Sequence, residues 1–564
     1  MMRYFYIICV VIFANFSSAQ DVRIADFGGL ADDNKCDIVA FKSALSHCKK
    51  IGAKRLILDS GVYEFHIENP EKQVAISVED MPNFSIEGVS KDNVPQTILL
   101  RKYDFKPNLS GTAILSVRHC KNFKLKGVAF DNFPQYMSAG EVVSNDENGV
   151  LIKVFKTLPF FDNTPIYCAN AWNAKTRNLK VGVPSLTFGG ANVEKNLTEN
   201  TLQIVDKQNR LLKLSSSEIA THLQKGDIMS WNFGWRGCQV VFDRCSNLHV
   251  ENVETYSAIG FCMQASHCEN IYANGVRFIR KGEQMHVGSR DAWKLYCCKG
   301  NVKIENCYFE CVRWDGQNVH GVFAWALKKT SKNKAIFGTH KDWHWGVLPT
   351  IAPVGSKVGL WLDKDNETLL TVKSAKQTPR KKISKNKCIE IEFEEDLPNF
   401  VESATLANFY GINIDSYELK NSTFRNIAGT ASLIRNDNVK IRNCKFDHIM
   451  YPAICVGGAI HECEGVSCKN AIIEGNTFSN CSWQRRHNAI GAVSIALQYC
   501  KQTPTQLTPM IKNICVRNNK FKSCNVAIEA LSVRNLRISN NLFENVKTKL
   551  VQRNNLEVDS DIVQ

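Results

Sequence analysis

Apolar and polar residues alternate with a period of two in short bursts along most of this chain, and the bursts share a fixed phrase. The phrase runs Asn, apolar, any, apolar, any, Asn or Gly, small or Cys, any, Phe. It reads NFKLKGVAF from Asn122, NIYANGVRF from Asn270, NVKIENCYF from Asn301 and NVKIRNCKF from Asn438. It returns as NAIIEGNTF from Asn470, NICVRNNKF from Asn513 and NLRISNNLF from Asn535. Weaker copies start at Asn83 and Asn247, and YELKNSTF from Tyr417 is another. Such alternation marks a half-buried strand, and the Asn or Gly that follows marks a turn. Close copies begin 23 residues apart at Asn247 and Asn270, and 22 apart at Asn513 and Asn535.

A strand-and-turn unit repeated at this period cannot bury its own apolar face, so the units must stack into a solenoid. Rungs of this length hold three short strands, which predicts an all-β, right-handed parallel β-helix. Asn at one place in successive rungs suits a ladder of stacked amides at a turn with left-handed backbone. An all-β sandwich would need the alternation without the fixed phrase. Before the repeats, Asp37 to Lys50 predicts a helix with Ile38, Phe41, Leu45 and Cys48 on one face. A helix followed by Arg55–Ile57 and Gly61–Tyr63 resembles the start of pectin-lyase-like β-helices, in which it caps the open first rung and blocks end-to-end pairing.

Two stretches break the period. The phrase is absent from about Phe133 to Met229 and again from about Trp325 to Asn408. Both are expected to be β-barrel-like insertions, and insertions on a solenoid commonly gather on its binding face. The chain thus divides into 1–19 (leader), 20–132 (cap and first rungs), 133–229 (first insertion), 230–324 (central rungs), 325–408 (second insertion) and 409–564 (last rungs and tail).

The leader is read from a basic Arg3, an apolar run from Tyr4 to Phe13 and the small residues Ser17, Ser18 and Ala19. That run is too short to span a bilayer, so export to the periplasm or beyond, without membrane insertion, is expected. The formal charge of +15 is scattered among acidic and amide side chains with no basic helix. It is read as solvated surface rather than as a nucleic-acid interface, with an anionic glycan as the other reading. Of 22 cysteines, Cys9 lies in the leader, leaving an odd number. Cys120, Cys245, Cys268 and Cys468 each lie two residues before a repeat Asn, and Cys307 and Cys444 share another phrase position. Equivalent rung positions predict buried thiols, packed as small hydrophobes, rather than bridges.

Two Asp residues stand between the insertions, Asp291 in MHVGSRDAW and Asp315 in RWDGQNVHG. They are 24 residues apart, about one rung, so both carboxyls are expected on one wall. Glycosidic cleavage uses such a pair: one acid protonates the leaving oxygen, while the other activates water or attacks the sugar. Repulsion between close carboxyls would raise one pKa and supply the acid. Trp293, Trp314 and Trp325 would offer sugar-stacking faces. Two Asp in a β-helix can also simply cap turns. The HKDWHW run, with His340, His344, Trp343 and Trp345, has no third well-spaced carboxylate and is read as structural or sugar-contacting. No metal and no cofactor are expected.

From about Arg236 to Gly321 the chain resembles glycoside hydrolase family 110. The likeness rests on the Asp-Ala before a Cys-Lys-Gly turn and on Asp-x-x-Asn-Val-His-Gly. It continues through Phe424–Ile427, Leu433–Asn436, Gly457–Gly458 and Glu464–Gly465. The resemblance implies an exported β-helix enzyme that removes terminal α-1,3-linked galactose with inversion, on galactose-containing oligo- or polysaccharides. It implies that Asp291 and Asp315 are catalytic, and that Asn318 and His320 orient the sugar or a carboxyl. There is one departure: Trp314 stands where the family usually has a second Asp beside Asp315. Asp291 and Asp315 must then carry both roles, in an order left open, or Glu283 or Glu464 must substitute. Two other readings stay open: a polysaccharide lyase acting on an acidic glycan, and a glycan-binding β-helix without catalysis.

Overall fold

The computed structural model describes residues 21–107, 109–187, 201–338, 349–378, 388–460, 462–465, 468–498 and 511–562. The leader and the HKDWHW run lie outside them. The chain is a right-handed parallel β-helix. Among the described residues, one wall has thirteen strands, from Asp21–Arg23 to Leu556–Ser560, and a second has eleven, from Gly61–Ile67 to Leu542–Glu544. The third begins at Ile76–Glu79 and Leu115–Arg118 and ends at Thr548–Arg553. Neighbouring coil strands pair in parallel.

The repeated phrase makes these walls residue by residue. Asn122, Asn247, Asn270, Asn438, Asn470, Asn513 and Asn535 all have φ between 53 and 65°, the left-handed turn that Asn tolerates. Their amides form a ladder: Asn247 donates to Asn122, Asn470 to Asn438, Asn513 to Asn470 and Asn535 to Asn513, over 2.8–2.9 Å. At Asn301 the pattern shifts by one residue. Gly300 takes the turn at φ 71°, where a Cβ would lie 2.3 Å from Asn270 Oδ1, and the Asn301 N–H donates to that oxygen. The phrase's last residue builds the core. Phe309, Phe424, Phe446, Phe478, Phe521 and Phe543 stack with centroids 4.4–5.5 Å apart and planes within 13° of parallel. Cys120, Cys245, Cys268 and Cys468 are buried free thiols. Helix α1 (Ile38–Ile51) caps the first rung and sets Phe41 edge-on to Tyr63 and Phe65.

The coil closes over both interruptions. Lys124–Lys126 pairs directly with His249–Glu251, and Gly300–Glu305 with Ile414–Lys420, so the residues between loop outward. The first excursion is a seven-stranded antiparallel sheet between Met137 and Asn232 with its own apolar core. It packs on the coil through Met137, Leu158 and Trp172 against Met285, Cys311, Ala428 and Met450. In the second, six antiparallel strands between Phe323 and Phe409 pair around a closed ring. Its first strand is continuous with a coil strand, which fixes it directly to the central rungs.

Candidate active site

Four strands set the site: β1 (Phe261–Ser266), β2 (Trp293–Tyr296), β3 (Gln317–Ser331) and β4 (Ser432–Arg435). Trp293 pairs with Gln317, and Gln317 with Ser432, all in parallel. Two residues upstream of these partners stand Asp291, Asp315 and Thr430, at one corner on three successive rungs. Backbone bonds lock the corner: the Ala292 N–H donates to the Asp315 carbonyl and the Gly316 N–H to the Thr430 carbonyl, both over 2.9 Å. Gly429 permits the crossing, since a Cβ there would lie 2.3 Å from the Trp314 backbone.

Asp291 and Asp315 are both buried. Asp315 Oδ1 accepts from the Thr430 N–H at 2.9 Å and from Arg486 Nη1 at 2.7 Å. Asp315 Oδ2 and Asp291 Oδ1 are buried with no hydrogen-bond partner among the described residues. Burial pushes the Asp315 carboxyl up to about 6 against the pull of Arg486; the Asp291 charge adds to the rise, while the Thr430 N–H and Arg435 oppose it. Burial works against the charge of Arg486, but Asp315 and Glu462 more than restore it and hold its pKa above the ordinary value.

Just downstream, β3 leaves the coil. Gln317–His320 pairs in the wall, Gly321–Val322 pairs antiparallel with Glu464–Gly465, and Phe323 onward belongs to the closed ring. Gly321 makes the exit possible, because a Cβ there would lie 1.9 Å from the Asn413 side chain. His320 is buried. Its Nδ1–H donates to the Gly321 carbonyl at 2.8 Å, and Nε2 lies 3.3 Å from Glu464 Oε1 without hydrogen-bond geometry. Burial, with Lys294 and Arg435 nearby, holds His320 well below its usual pKa, so the ring is neutral. Arg435, the β4 partner of His320, is fully buried and donates to Glu462 at 2.9 Å and Gln498 at 3.2 Å, and it also pairs with Glu464. Asn318 is buried one residue beyond Gln317, with Oδ1 unmatched.

The structure thus brings Asp291, Asp315, Asn318 and His320 onto adjoining rungs, with Glu464 on the short strand that meets β3 where it leaves the coil. Trp314 is half-buried beside them, edge-on to Tyr451 at 5.8 Å, with the Arg486 guanidinium 5.1 Å from its ring centre. Trp293 is corrected: it is fully buried in the solenoid core near Phe278, because its place in β2 points inward, and it offers no face to a sugar. Trp325 is likewise a core residue. Glu283 is corrected too. Its Oε2 accepts from the Thr157 N–H and hydroxyl at 2.8 and 2.6 Å, fastening the first insertion to a coil turn instead of joining the Asp pair. The sequence assigns no site role to Arg486 or Glu462, and carries Arg435 only within the Leu433–Asn436 likeness. Arg435 had a signal, a lone cation inside the apolar Leu433-Ile434-Arg435. Arg486 sits in an irregular segment with none.

The class defined by this fold and corner is a parallel β-helix with a buried carboxyl pair on adjacent rungs, flanked along the chain by two insertions. Residues 409–561 match the family described as "Right handed beta helix region". The chain is similar to Alpha-1,3-galactosidase A of Bacteroides fragilis strain YCH46, 23% identical over 312 residues, 54% of this chain and 49% of that protein. It is also similar to Alpha-1,3-galactosidase B of Bacteroides thetaiotaomicron, 25% identical over 303 residues, 52% of this chain and 47% of that one. These relatives bear out the resemblance to family 110, and the chain spans about half the length of the curated relatives it matches. Among solved structures, an exopolygalacturonase from Thermotoga maritima aligns with 96% of this chain and 92% of its own at 12% identity and a TM-score of 0.40.

Proposed function

We propose that the chain is an exported glycoside hydrolase that removes terminal α-linked galactose, α-1,3-linked by analogy with its relatives' names, with inversion. The observation that carries this reading is the equal register of Asp291 and Asp315 on consecutive rungs, each buried with one oxygen unmatched. The relatives' names supply the sugar and the leader-like first residues supply export.

Asp315 is assigned as the acid, because burial raises its pKa and keeps a proton available on Oδ2. As the C1–O bond breaks, that proton passes to the leaving oxygen. Asp291 takes a proton from a water whose oxygen attacks C1 on the opposite face, and β-galactose is released. Neighbouring rungs rise about 4.8 Å, so the two free oxygens must diverge to the roughly 6.5–9.5 Å that leaves room for water in inverting enzymes. Asn318, His320 and Trp314 are assigned to sugar contact, and Glu464 to pairing with Arg435.

The test is NMR during turnover of p-nitrophenyl α-galactoside and α-1,3-linked digalactose. The expected first product is β-galactose. First appearance of the α-anomer would overturn inversion, and intact substrates with retained sugar binding would overturn hydrolysis.

A further inference from the structure

We infer that Arg486 is the positioning residue for Asp315: it fixes Oδ1 and leaves Oδ2 as the oxygen that exchanges the proton. This rests on the reading of Asp315 as the acid and deepens it.

Arg486 reaches the corner from a segment 171 residues away in sequence, and its side chain is only 6% exposed. Its backbone is tied down on both sides, with the Arg486 N–H donating to the Ala489 carbonyl and the Ala489 N–H to the Arg486 carbonyl. The guanidinium donates to one Asp315 oxygen, which also accepts the Thr430 N–H, so Oδ1 has two donors and Oδ2 has none among the described residues. A carboxyl held in this way cannot swap its oxygens by rotation about χ2 without breaking two hydrogen bonds. When the proton leaves Oδ2, a negative charge remains in a site without solvent exposure. The charge of Arg486 is already 2.7 Å from it, and charge-assisted bonds of this kind are the strong ones. Trp314 lies against the same guanidinium and restricts its movement. The charged groups facing Asp315 are Asp291 from the rung before, Arg435 from the rung after and Arg486 itself, with Glu462 acting on Arg486.

The mechanism sets the direction of the effect. Without Arg486, nothing beside Asp315 stabilises its charged form as strongly, so its pKa rises and it becomes a weaker acid. An acid must be protonated to act, so the alkaline limb of kcat/KM moves to higher pH while the plateau drops.

The experiment compares wild type, Arg486→Lys and Arg486→Met, with Asp315→Asn as the reference. Melting temperature serves as the check on folding. The Asp315 carboxyl is titrated by infrared difference spectroscopy, wild type minus Asp315→Asn, and in the same way for each Arg486 variant. The expected result is a midpoint at least one pH unit higher in Arg486→Met, about a tenfold shift in its equilibrium, with Arg486→Lys returning most of the way. In turnover of p-nitrophenyl α-galactoside, kcat should fall about 10²-fold in Arg486→Met with KM within about threefold. An unchanged carboxyl midpoint in folded Arg486→Met overturns the inference, as does loss of kcat with no movement of the alkaline limb. If wild type hydrolyses no galactoside, the proposed function fails, while the carboxyl titration still decides whether Arg486 governs Asp315. If Arg486→Met fails to fold, Arg486→Gln is titrated in its place: a midpoint about one pH unit or more above wild type supports the inference, and an unchanged midpoint overturns it.

Discussion

Thr430 and Asp315 occupy equivalent places on consecutive rungs, and the backbone N–H of Thr430 donates to the Asp315 carboxylate at 2.9 Å. At this corner each rung supplies a partner for the one before it. The chemistry assigned to the pair is therefore a property of stacking, and it can be challenged by side-chain changes that leave the stack intact.

Asp291→Asn and Asp315→Asn keep shape and hydrogen-bonding capacity but remove the acid or base. Each should lower kcat about 10²–10⁴-fold on α-1,3-linked digalactose, with melting temperature close to wild type. Full activity in either variant would remove that residue from the mechanism.

The raised Asp315 carboxyl makes a statement about pH. Because the acid form is the working form, kcat/KM should fall as pH rises through about 6, and Asp315→Glu should displace that limb. A profile flat from about pH 5 to 8 would rule out a titrating acid at this position.

Asp437 offers a test of stability independent of activity. Burial pushes its carboxyl up to about 7, against the pull of Lys469 and its N–H. The folded state thus holds a proton that the unfolded chain gives up near the ordinary carboxyl value of 3.8. Stability from this group is complete below that value and lost as pH climbs to about 7. Asp437→Asn should raise the melting temperature at about pH 8 and leave it nearly unchanged at about pH 4. Equal gains at both would show that charge is not the cause.

The stacked rings set the cost of damage to the coil. Phe446 lies between Phe424 and Phe478, with centroids 5.1 and 5.0 Å away, and is almost fully buried. Phe446→Ala should cost about 3–5 kcal/mol in urea unfolding, as a cavity that rigid neighbours cannot fill. Phe446→Leu should cost much less. A loss below about 1 kcal/mol for Phe446→Ala would mean the column collapses into the gap.

The coil was legible because its signals are local and repeated. Asn438 at a turn and Phe446 in the core can be read from one nine-residue phrase, and seven copies confirm each other. The Asp pair was legible for the same reason, since one rung separates 291 from 315. Trp293 was misread because the strand starts only there: the corner at Asp291 and Ala292 resets which side faces out, and composition does not reveal where a corner ends. Glu283 was misread because its partner, Thr157, belongs to an insertion whose docking is not written in any periodicity. Arg435 would have been found by aligning its rung with that of His320, but the second insertion hides that register. Arg486 closes the site from an irregular segment, so only three dimensions show it.

The row of rings and the row of amides give most turns from Phe309 onward the same two fittings, one inside and one at the edge. A coil with repeated fittings is graduated like a ruler. It can be longer or shorter by whole divisions without presenting any neighbour with an unfamiliar surface, whereas a change of a few residues would bring a ring opposite an amide. The corner with Asp291 and Asp315 occupies one fixed mark on that scale, so variation in length is free to accumulate beyond it while the spacing of the two carboxyls stays set by a single division.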